Sequence, residues 1–457
     1  MTGISRRGAL ALAAGAVTAQ IVSTGSPAAA SPPGRAGQDP VVGADLITTV
    51  TPRDNWRVTA VAVRYADPVD LRGAAIAPSA FEVIATVGGQ RVPRTVTRAY
   101  TNTAPEVAER SRPGKYVIIE LDPADPNARA SGTDPLPLDR AYAIRQVEDL
   151  KTRGGAVVLP ATPFAVRNDG VLNPVVDGFT AGSFVDSTGF ELRFRLYRPA
   201  TGNSRLPLVV TLHGGGEVAD NDMTQLTGNR IAVTFAKPER QHTNPAFVLA
   251  PQVPLPRPMD GPDGTDWTDA RVNAATVELI DTFAAREPVD PDRIYLVGLS
   301  SGGRGIYNLL PKYPGKFAAA LPTSGWGEVS AMDKITRVPL WADHSIDDPV
   351  VPYREGRFGK PGTWTLMNAL EATGTKVTRG EWANNLPKAE FEARSRALLR
   401  EARAAGSHVL FTSYTAGTTA PSPHFAWGQT YENDVVIDWL FAQSRRGARS
   451  DLQREQA

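Results

Sequence analysis

A serine at the centre of a glycine-flanked turn is the first candidate for chemistry in this sequence. Residues 298–302 read GLSSG and fit the pattern G-x-S-x-G, with Ser300 in the middle. An apolar run at 294–297 precedes the turn, and helix-spaced apolar residues at 306–313 follow it. A strand, a sharp turn and a helix are the context that lifts a serine hydroxyl above a sheet as a nucleophile. Nucleotide-binding proteins also contain such glycine-rich turns, so the hypothesis needs a base, an acid and an oxyanion loop elsewhere in the chain.

A histidine near the carboxyl end is the candidate base. His424 lies in SPHF (422–425), a predicted loop after the last strand, from which its ring could reach Ser300 Oγ. Its position alone is equally typical of a surface histidine. His408 opens a predicted strand and His242 lies in a polar loop, so we interpret both as structural.

Two adjacent aspartates compete for the role of the acid. A predicted buried strand leads into residues 343–352, DHSIDDPVVP. A carboxylate in this loop could accept the Nδ1–H of His424, which would fix the tautomer and stabilise an imidazolium. Asp347 and Asp348 cannot both point at one imidazole, and Pro349 restricts Asp348 to an extended conformation with a defined side-chain direction. The sequence therefore favours Asp348. The resulting order, serine then aspartate then histidine, is that of α/β-hydrolase triads.

A glycine-rich loop could stabilise an oxyanion. LHGGGE (212–217) follows the first predicted parallel strand, and its glycines leave backbone N–H groups free to face a substrate oxygen. The predicted donors are the N–H groups of Ser301, Gly214, Gly215 and Gly216. His213 in this loop is interpreted as structural. The loop lacks the G-x-G-x-x-G spacing, so a role in holding a pyrophosphate is only weakly supported.

Three tryptophans in predicted loops could line the acyl or alcohol pocket, and core packing explains them equally well. They are Trp267, Trp326 and Trp427. This chemistry requires no metal and no cofactor. The sequence contains no cysteine, which excludes a cysteine nucleophile and thiolate metal sites.

The elements that must position these residues alternate between strands and helices. Buried-strand runs recur from 208 to 412 with helical patterns between them, the clearest spanning 272–283 and ending before Pro288. This alternation predicts an α/β fold with a doubly wound, mostly parallel sheet, whose chemistry lies at the carboxyl ends of the strands. Short strands with turn signals at 44–167 predict a smaller, immunoglobulin-like β-sandwich before it.

The sequence also predicts export. Arg6-Arg7, an apolar stretch at 8–22 and the small residues at 28–30 are typical of a twin-arginine signal peptide, and no stretch of the mature chain is apolar enough to span a membrane. The 49 basic and 48 acidic side chains nearly cancel, so nothing indicates a nucleic-acid partner. The predicted organisation is a signal peptide (1–30), a linker (31–43), the sandwich (44–167), a linker (168–183), the catalytic domain (184–442) and a polar tail (443–457).

The chain resembles exported α/β-hydrolase esterases with an N-terminal immunoglobulin-like domain, close to the poly(hydroxybutyrate)-depolymerase-like and prolyl-oligopeptidase-like predicted peptidases. The matching segments are PLVVTLHGGGE (207–217), LAPQVP (249–254), VDPDRIYLVGLSSGGRG (289–305), DDPVVP (347–352) and SPHFAW (422–427). The match at DDPVVP places the acid on Asp348. The chain departs from the family in two places. Position 345 is serine where many relatives have glycine, and residues 353–406 form a longer connection than usual. Part of this connection is expected to cap the pocket, so deleting 374–386 should change substrate preference or KM.

These observations predict a secreted serine hydrolase that cleaves small-molecule or polymeric carboxylic esters through an acyl-enzyme intermediate. A secreted peptidase with the same triad and an extracellular polyester depolymerase remain alternatives. A non-catalytic adhesion or carbohydrate-binding protein is a further alternative, against which the intact triad argues. The oligomeric state is left open.

Overall fold

The computed structural model describes residues 40–51, 55–130, 141–200, 204–256 and 265–446. The predicted signal peptide, most of the first predicted linker and most of the predicted polar tail lie outside these residues. No helix in the described part is long and apolar enough to cross a membrane.

Two sheets packed face to face form the amino-terminal sandwich. One sheet has the strand order β11-β1-β2-β6-β5 and the other β10-β7-β3-β4, while β8 and β9 pair with each other. The core between them contains alternate residues of facing strands, such as Val61, Val83 and Ile119. The strands are β1 (Val41–Thr51), β2 (Asn55–Val69), β3 (Phe81–Val87), β4 (Gln90–Arg94), β5 (Val96–Asn102), β6 (Gly114–Leu121), β7 (Tyr142–Gln146), β8 (Leu150–Lys151), β9 (Val157–Leu159), β10 (Val166–Arg167) and β11 (Gly170–Leu172).

A nine-stranded sheet forms the centre of the larger domain, in the order β12-β13-β15-β14-β16-β17-β18-β20-β19. Strand β13 pairs antiparallel with both β12 and β15, and all the other neighbouring strands pair parallel. The strands are β12 (Phe179–Val185), β13 (Glu191–Tyr197), β14 (Leu206–Leu212), β15 (Phe247–Gln252), β16 (Val289–Leu299), β17 (Ala319–Thr323), β18 (Leu340–Ser345), β19 (Val377–Trp382) and β20 (Val409–Tyr414).

The described helices of the larger domain connect these strands, and two hydrophobic clusters, one on each side of the sheet, bury it. They are α1 (Thr224–Thr227), α2 (Ile231–Ala236), α3 (Pro238–Thr243), α4 (Ala270–Arg286), α5 (Ser301–Lys312), α6 (Thr363–Ala372), α7 (Lys388–Ala405), α8 (Trp427–Thr430) and α9 (Asp434–Phe441). The helix predicted around 272–283 is confirmed as α4, whose first turn is capped by the Asp269 side chain. The doubly wound sheet after a β-sandwich is likewise the predicted fold.

The range expected to be a linker, 168–183, differs from the prediction. It contains β11, which pairs with β1 of the sandwich, and the start of β12, which forms an edge of the large sheet. The glycines in this stretch suggested a loop. At position 182, however, glycine is needed inside a strand, because a Cβ there would overlap the Phe194 ring of the neighbouring strand. The two domains are therefore joined by a much shorter connection.

The connection at 353–406 also differs from the expected cap. It consists of α6, β19 and α7, and β19 extends the parallel sheet beyond β20. The Trp382 ring is 7% exposed and packs against Phe391 and Tyr414. The segment is part of the sheet and its covering layer, so deleting 374–386 would remove a sheet strand.

Candidate active site

Ser300 sits on a strained turn between β16 and α5. Its backbone adopts φ 52° and ψ −118°, in a region that non-glycine residues rarely occupy. The Ser300 N–H donates to Thr323 O of β17 at 2.9 Å, which holds the turn against the sheet. A Cβ at Gly298 would overlap Gly302 O, and a Cβ at Gly302 would overlap Leu212 O. The two glycines of the motif are therefore needed for the close approach of three backbone segments.

Three predicted site residues form one chain of hydrogen bonds. His424 Nε2 lies 2.9 Å from Ser300 Oγ, and His424 Nδ1 lies 2.7 Å from Asp348 Oδ2. Since an ionised carboxylate only accepts, the Nδ1–H donates to Asp348, and Nε2 is left to accept the serine hydroxyl proton. All three residues are buried.

Asp348 is held as a carboxylate by several donors. Its Oδ1 accepts the N–H groups of Val350 and Val351 at 2.8 and 3.0 Å. Burial alone would raise the pKa of Asp348, but the hydrogen bonds from His344 and His424 outweigh burial and hold this pKa well below its usual range. The neighbouring Asp347 instead accepts the N–H of Gly417 at 2.8 Å. The structure thus separates the two aspartates that competed in the sequence.

His344 is a site residue that the sequence analysis did not single out. Its fully buried Nε2 lies 2.8 Å from Val351 O and 3.2 Å from Asp348 Oδ2, and its Nδ1 lies 3.0 Å from Thr363 Oγ1. The ring therefore contacts the same carboxylate oxygen, Oδ2, that accepts the His424 Nδ1–H. Its spacing of four residues before Asp348, at the end of a buried strand, was the available signal.

The glycine loop lies directly beside the serine turn. A Cβ at Gly214 would be 3.7 Å from Ser300 Cβ, and a Cβ at Gly215 would be 3.9 Å from Ser301 Cβ. A Cβ at Gly216 would meet nothing within 4 Å. Gly214 and Gly215 are thus placed next to the start of α5, whose free N–H groups and positive dipole end favour an anion. Gly216 faces open space.

His213 and Trp267 hold the glycine loop in place through hydrogen bonds. His213 Nδ1 donates to Gly214 O at 2.7 Å and its Nε2 accepts the Val253 N–H at 3.0 Å. Burial lowers the pKa of His213 to about 4, although the bond to Gly214 opposes this, so the ring is neutral. Trp267 Nε1 donates to His213 O at 2.8 Å. Its side chain is 1% exposed, so its contacts are those of a residue that positions the loop and do not support the predicted pocket role.

The other two predicted tryptophans, Trp326 and Trp427, contact different residues. The Trp427 ring meets the His424 ring edge-on, with 5.1 Å between centroids. The Trp326 ring lies 6.2 Å from Phe358, which is 54% exposed. Arg304, ion-paired with Asp266, packs against both Trp326 and Phe358. Phe358, an exposed aromatic side chain in the loop after the acid, was not identified from the sequence.

A second buried carboxyl group lies behind the serine turn. Asp343 Oδ2 accepts the Thr323 hydroxyl at 2.9 Å, and the Asp343 carbonyl accepts the Ser324 N–H at 2.9 Å. Ser324 Oγ in turn donates to His424 O at 3.2 Å. Burial raises the pKa of Asp343 to about 7, and the bond from Thr323 only partly opposes this. The network links the strand that holds Ser300 to the loop that carries His424.

This arrangement can perform acyl transfer. A serine hydroxyl donates to a neutral imidazole whose other nitrogen is held by a carboxylate, and backbone N–H groups stand beside the serine. Within the described ranges, no group of three or more His, Asp or Glu side chains is arranged to bind a metal ion.

Two protein families match the chain, one for each domain. Residues 43–159 match the esterase Ig-like N-terminal domain, and residues 192–353 match the esterase PHB depolymerase family. A solved structure of a thermostable esterase superposes with a TM-score of 0.69 at 29% identity, covering 88% of this chain and 100% of that one.

Curated relatives match over shorter stretches. A bifunctional acetylxylan esterase/xylanase from Neocallimastix patriciarum is 26% identical over 176 residues, which are 38% of this chain and 24% of the relative. A probable tuliposide A-converting enzyme from Tulipa gesneriana is 28% identical over 181 residues, 39% of this chain and 43% of that protein. The chain thus spans less than half the length of these relatives.

Replacing Trp267 with phenylalanine tests the support of the glycine loop. The change keeps an aromatic ring but removes the donor to His213 O. We expect kcat for a p-nitrophenyl ester to fall roughly tenfold with little change in KM, less than the 10²–10³ lost with an oxyanion donor itself. Trp341→Phe is the matched control, because it removes a buried indole donor to Thr412 outside the site. Equal effects of both variants would contradict the assignment.

Replacing Asp343 with asparagine tests the buried carboxyl group. Because the pKa of Asp343 rises from an unfolded value of roughly 3.9 to about 7, the folded state binds an extra proton between these values. Protonated Asp343 therefore increases the free energy of unfolding of the wild type below about pH 4, and this contribution is lost as the pH rises to about 7. We expect the free energy of unfolding of Asp343→Asn to show no such decrease. Urea unfolding of both proteins from pH 4 to 9 would measure this difference. A wild-type-to-variant difference independent of pH would refute this.

Proposed function

We propose that the chain, which has an α/β-hydrolase fold and an immunoglobulin-like N-terminal domain, is an esterase that cleaves carboxylic esters through Ser300, His424 and Asp348. The observation that carries this proposal is the chain of two hydrogen bonds, at 2.9 and 2.7 Å, that runs from the serine hydroxyl through the imidazole to the carboxylate. The pattern matches the roles of nucleophile, base and orienting acid.

In the first half of the proposed reaction, Ser300 Oγ attacks the ester carbonyl carbon while His424 Nε2 takes the hydroxyl proton. The imidazolium is stabilised by Asp348, which its own donors keep ionised. The N–H groups of Ser301, Gly214 and Gly215 are the proposed donors to the tetrahedral oxyanion. His424 then gives its proton to the alcohol oxygen as the C–O bond breaks.

In the second half, water attacks the acyl-enzyme and His424 accepts its proton. Collapse of the second tetrahedral intermediate returns that proton to Ser300 Oγ and releases the carboxylic acid. The strained backbone of Ser300 suits this role, since the turn keeps Oγ at the carboxyl end of the central strand without any rearrangement. Esters of a polysaccharide are one candidate substrate class, because one relative is an acetylxylan esterase.

Ser300→Ala tests the nucleophile. We expect kcat on short p-nitrophenyl esters to fall by several orders of magnitude, on the order of the 10⁶ seen when a triad serine is removed. Ser187→Ala is the control, because it removes an exposed hydroxyl that donates to Glu278 and contacts none of the three residues. Unchanged hydrolysis by Ser300→Ala would overturn the mechanism.

We further propose that the protein is exported by the twin-arginine route. The sequence Arg6-Arg7 before an apolar stretch and the small residues at 28–30 support this. Replacing Arg6 and Arg7 with lysine should keep the esterase activity inside the cells, whereas the wild-type activity should be outside the cytoplasm. Identical cell fractions for both proteins would contradict this route.

A further inference from the structure

The acid and the base follow two neighbouring parallel strands. The acid segment (345–352) begins at the last residue of β18, and the base loop (415–426) follows β20. The Ile346 N–H donates to Tyr414 O at 3.0 Å, and beyond this bond the two chain segments no longer pair as strands. The position of the base relative to the acid therefore depends on side-chain contacts between the acid segment and the base loop.

Ser345 makes the first of these contacts. Its Oγ lies 2.8 Å from the Oγ1 of Thr419 in the base loop, and both side chains are buried. Either hydroxyl can donate, so each is a hydrogen-bond partner for the other. Removing one hydroxyl would leave the other buried without this partner, which is costly. Serine at this position departs from the glycine of many relatives, and a glycine could not form this bond.

Asp347 makes the second contact. Its Oδ2 accepts the N–H of Gly417 in the base loop at 2.8 Å. Positions 345 and 347 thus bond to positions 419 and 417, two residues apart on each side. Two bonds at separate points restrict the movement of the base loop more than a single bond would.

Other hydrogen bonds of the base loop come from elsewhere in the sheet. Ser324, just after β17, donates from Oγ to His424 O at 3.2 Å. Asn384, shortly after β19, donates from Nδ2 to Ala426 O at 3.2 Å and from its N–H to Thr418 Oγ1 at 2.9 Å. These bonds hold the base loop to β17 and β19, but they do not reach the acid segment.

The base needs support from the acid segment because its ring gains and loses a proton twice in each turnover of the proposed reaction. Within the described part of the chain, the side-chain hydrogen bonds between the acid segment and the base loop are those of Ser345, Asp347 and Asp348. The first two do not involve the imidazole, so they persist in both of its protonation states. A displacement of about 1 Å at a catalytic group can cost about 10²-fold in rate, so the position of the loop matters.

We propose that Ser345 and Asp347 are positioning residues for the base. Through Thr419 and Gly417 they hold the base loop against the acid segment, which keeps the His424 imidazole within hydrogen-bond distance of the acid. The proposal rests on the proposed function, because it assigns support to the base of that reaction. Loss of either contact should lower kcat and leave KM nearly unchanged, since neither side chain is assigned a contact with the substrate.

Two substitutions of Thr419 test the first contact. Thr419→Val keeps the shape of the side chain and removes its hydroxyl, whereas Thr419→Ser keeps the hydroxyl. With the full chain and p-nitrophenyl acetate, we expect kcat of Thr419→Val to fall roughly three- to tenfold at nearly constant KM, as for one lost hydrogen bond, and kcat of Thr419→Ser to fall less. Ser345→Ala should match Thr419→Val, and the double variant should lose no more than either, because both changes break one bond.

Two substitutions of Asp347 test the second contact. Asp347→Asn removes the charge but keeps a carbonyl oxygen that can accept the Gly417 N–H, whereas Asp347→Ala removes the acceptor. We expect kcat to fall several-fold in Asp347→Ala and less in Asp347→Asn. Equal losses in the two variants would show that the charge matters and not the bond, and would overturn the role of Asp347.

A control and a second measurement separate positioning from folding. Ser111→Ala breaks a similar hydroxyl pair, with Thr101 at 3.0 Å in the sandwich, and should leave kcat unchanged. Urea unfolding of each variant gives its folded fraction, so that kcat is compared per folded protein. Wild-type kcat in Thr419→Val, Ser345→Ala and Asp347→Ala would overturn this proposal and leave the proposed function intact. A raised KM with unchanged kcat would also overturn it, since it would show a role in substrate binding. Failure of the wild type on every ester would overturn the proposed function itself.

Discussion

The close approach of three backbone segments at the serine turn is the constraint on which the site depends. The carbonyl of Leu212, at the end of β14, touches Gly302 in the first turn of α5, and Gly298 at the end of β16 touches Gly302 in turn. This contact fixes where the glycine loop leaves β14 relative to Ser300. It also forces Ser300 into its left-handed backbone conformation. The strain is tolerated because parallel pairing of β14, β16 and β17 holds the turn on both sides.

Two buried carboxyl groups near the turn are driven towards opposite protonation states by their surroundings. Asp348 receives N–H groups from the backbone and from two histidines, so its charge is compensated and its pKa is low. At Asp343 burial outweighs the hydroxyls of Thr323 and Thr430, which oppose it, and the pKa is raised to about 7. One carboxylate can therefore orient the imidazole, while the other carboxyl group keeps its proton to a much higher pH and links Thr323 to the core. Burial raises the pKa of both groups, and only at Asp348 do the donors and the histidines outweigh it.

Local signals in the sequence were sufficient for the serine turn and for the alternation of strands and helices. G-x-S-x-G with an apolar run before it has few other structural solutions, and Pro349 fixed the direction of Asp348 well enough to choose it over Asp347. His344 was missed because its role depends on the folded loop that brings Val351 and Asp348 to one nitrogen. The 168–183 and 353–406 segments were misjudged for a related reason. Strand pairing at β11, β12 and β19 depends on distant neighbours, which short and glycine-containing stretches do not reveal.

The sandwich and the larger domain share a hydrophobic cluster, which joins the packing of the two domains. Val50 of β1 belongs to the same cluster of buried side chains as Trp427, which packs on the imidazole of His424. Trp56 packs against this cluster and against the sandwich core. The sandwich therefore packs beside the loop that carries His424. Substitutions at Val50 or Trp56 would therefore change the packing of the cluster to which Trp427 belongs.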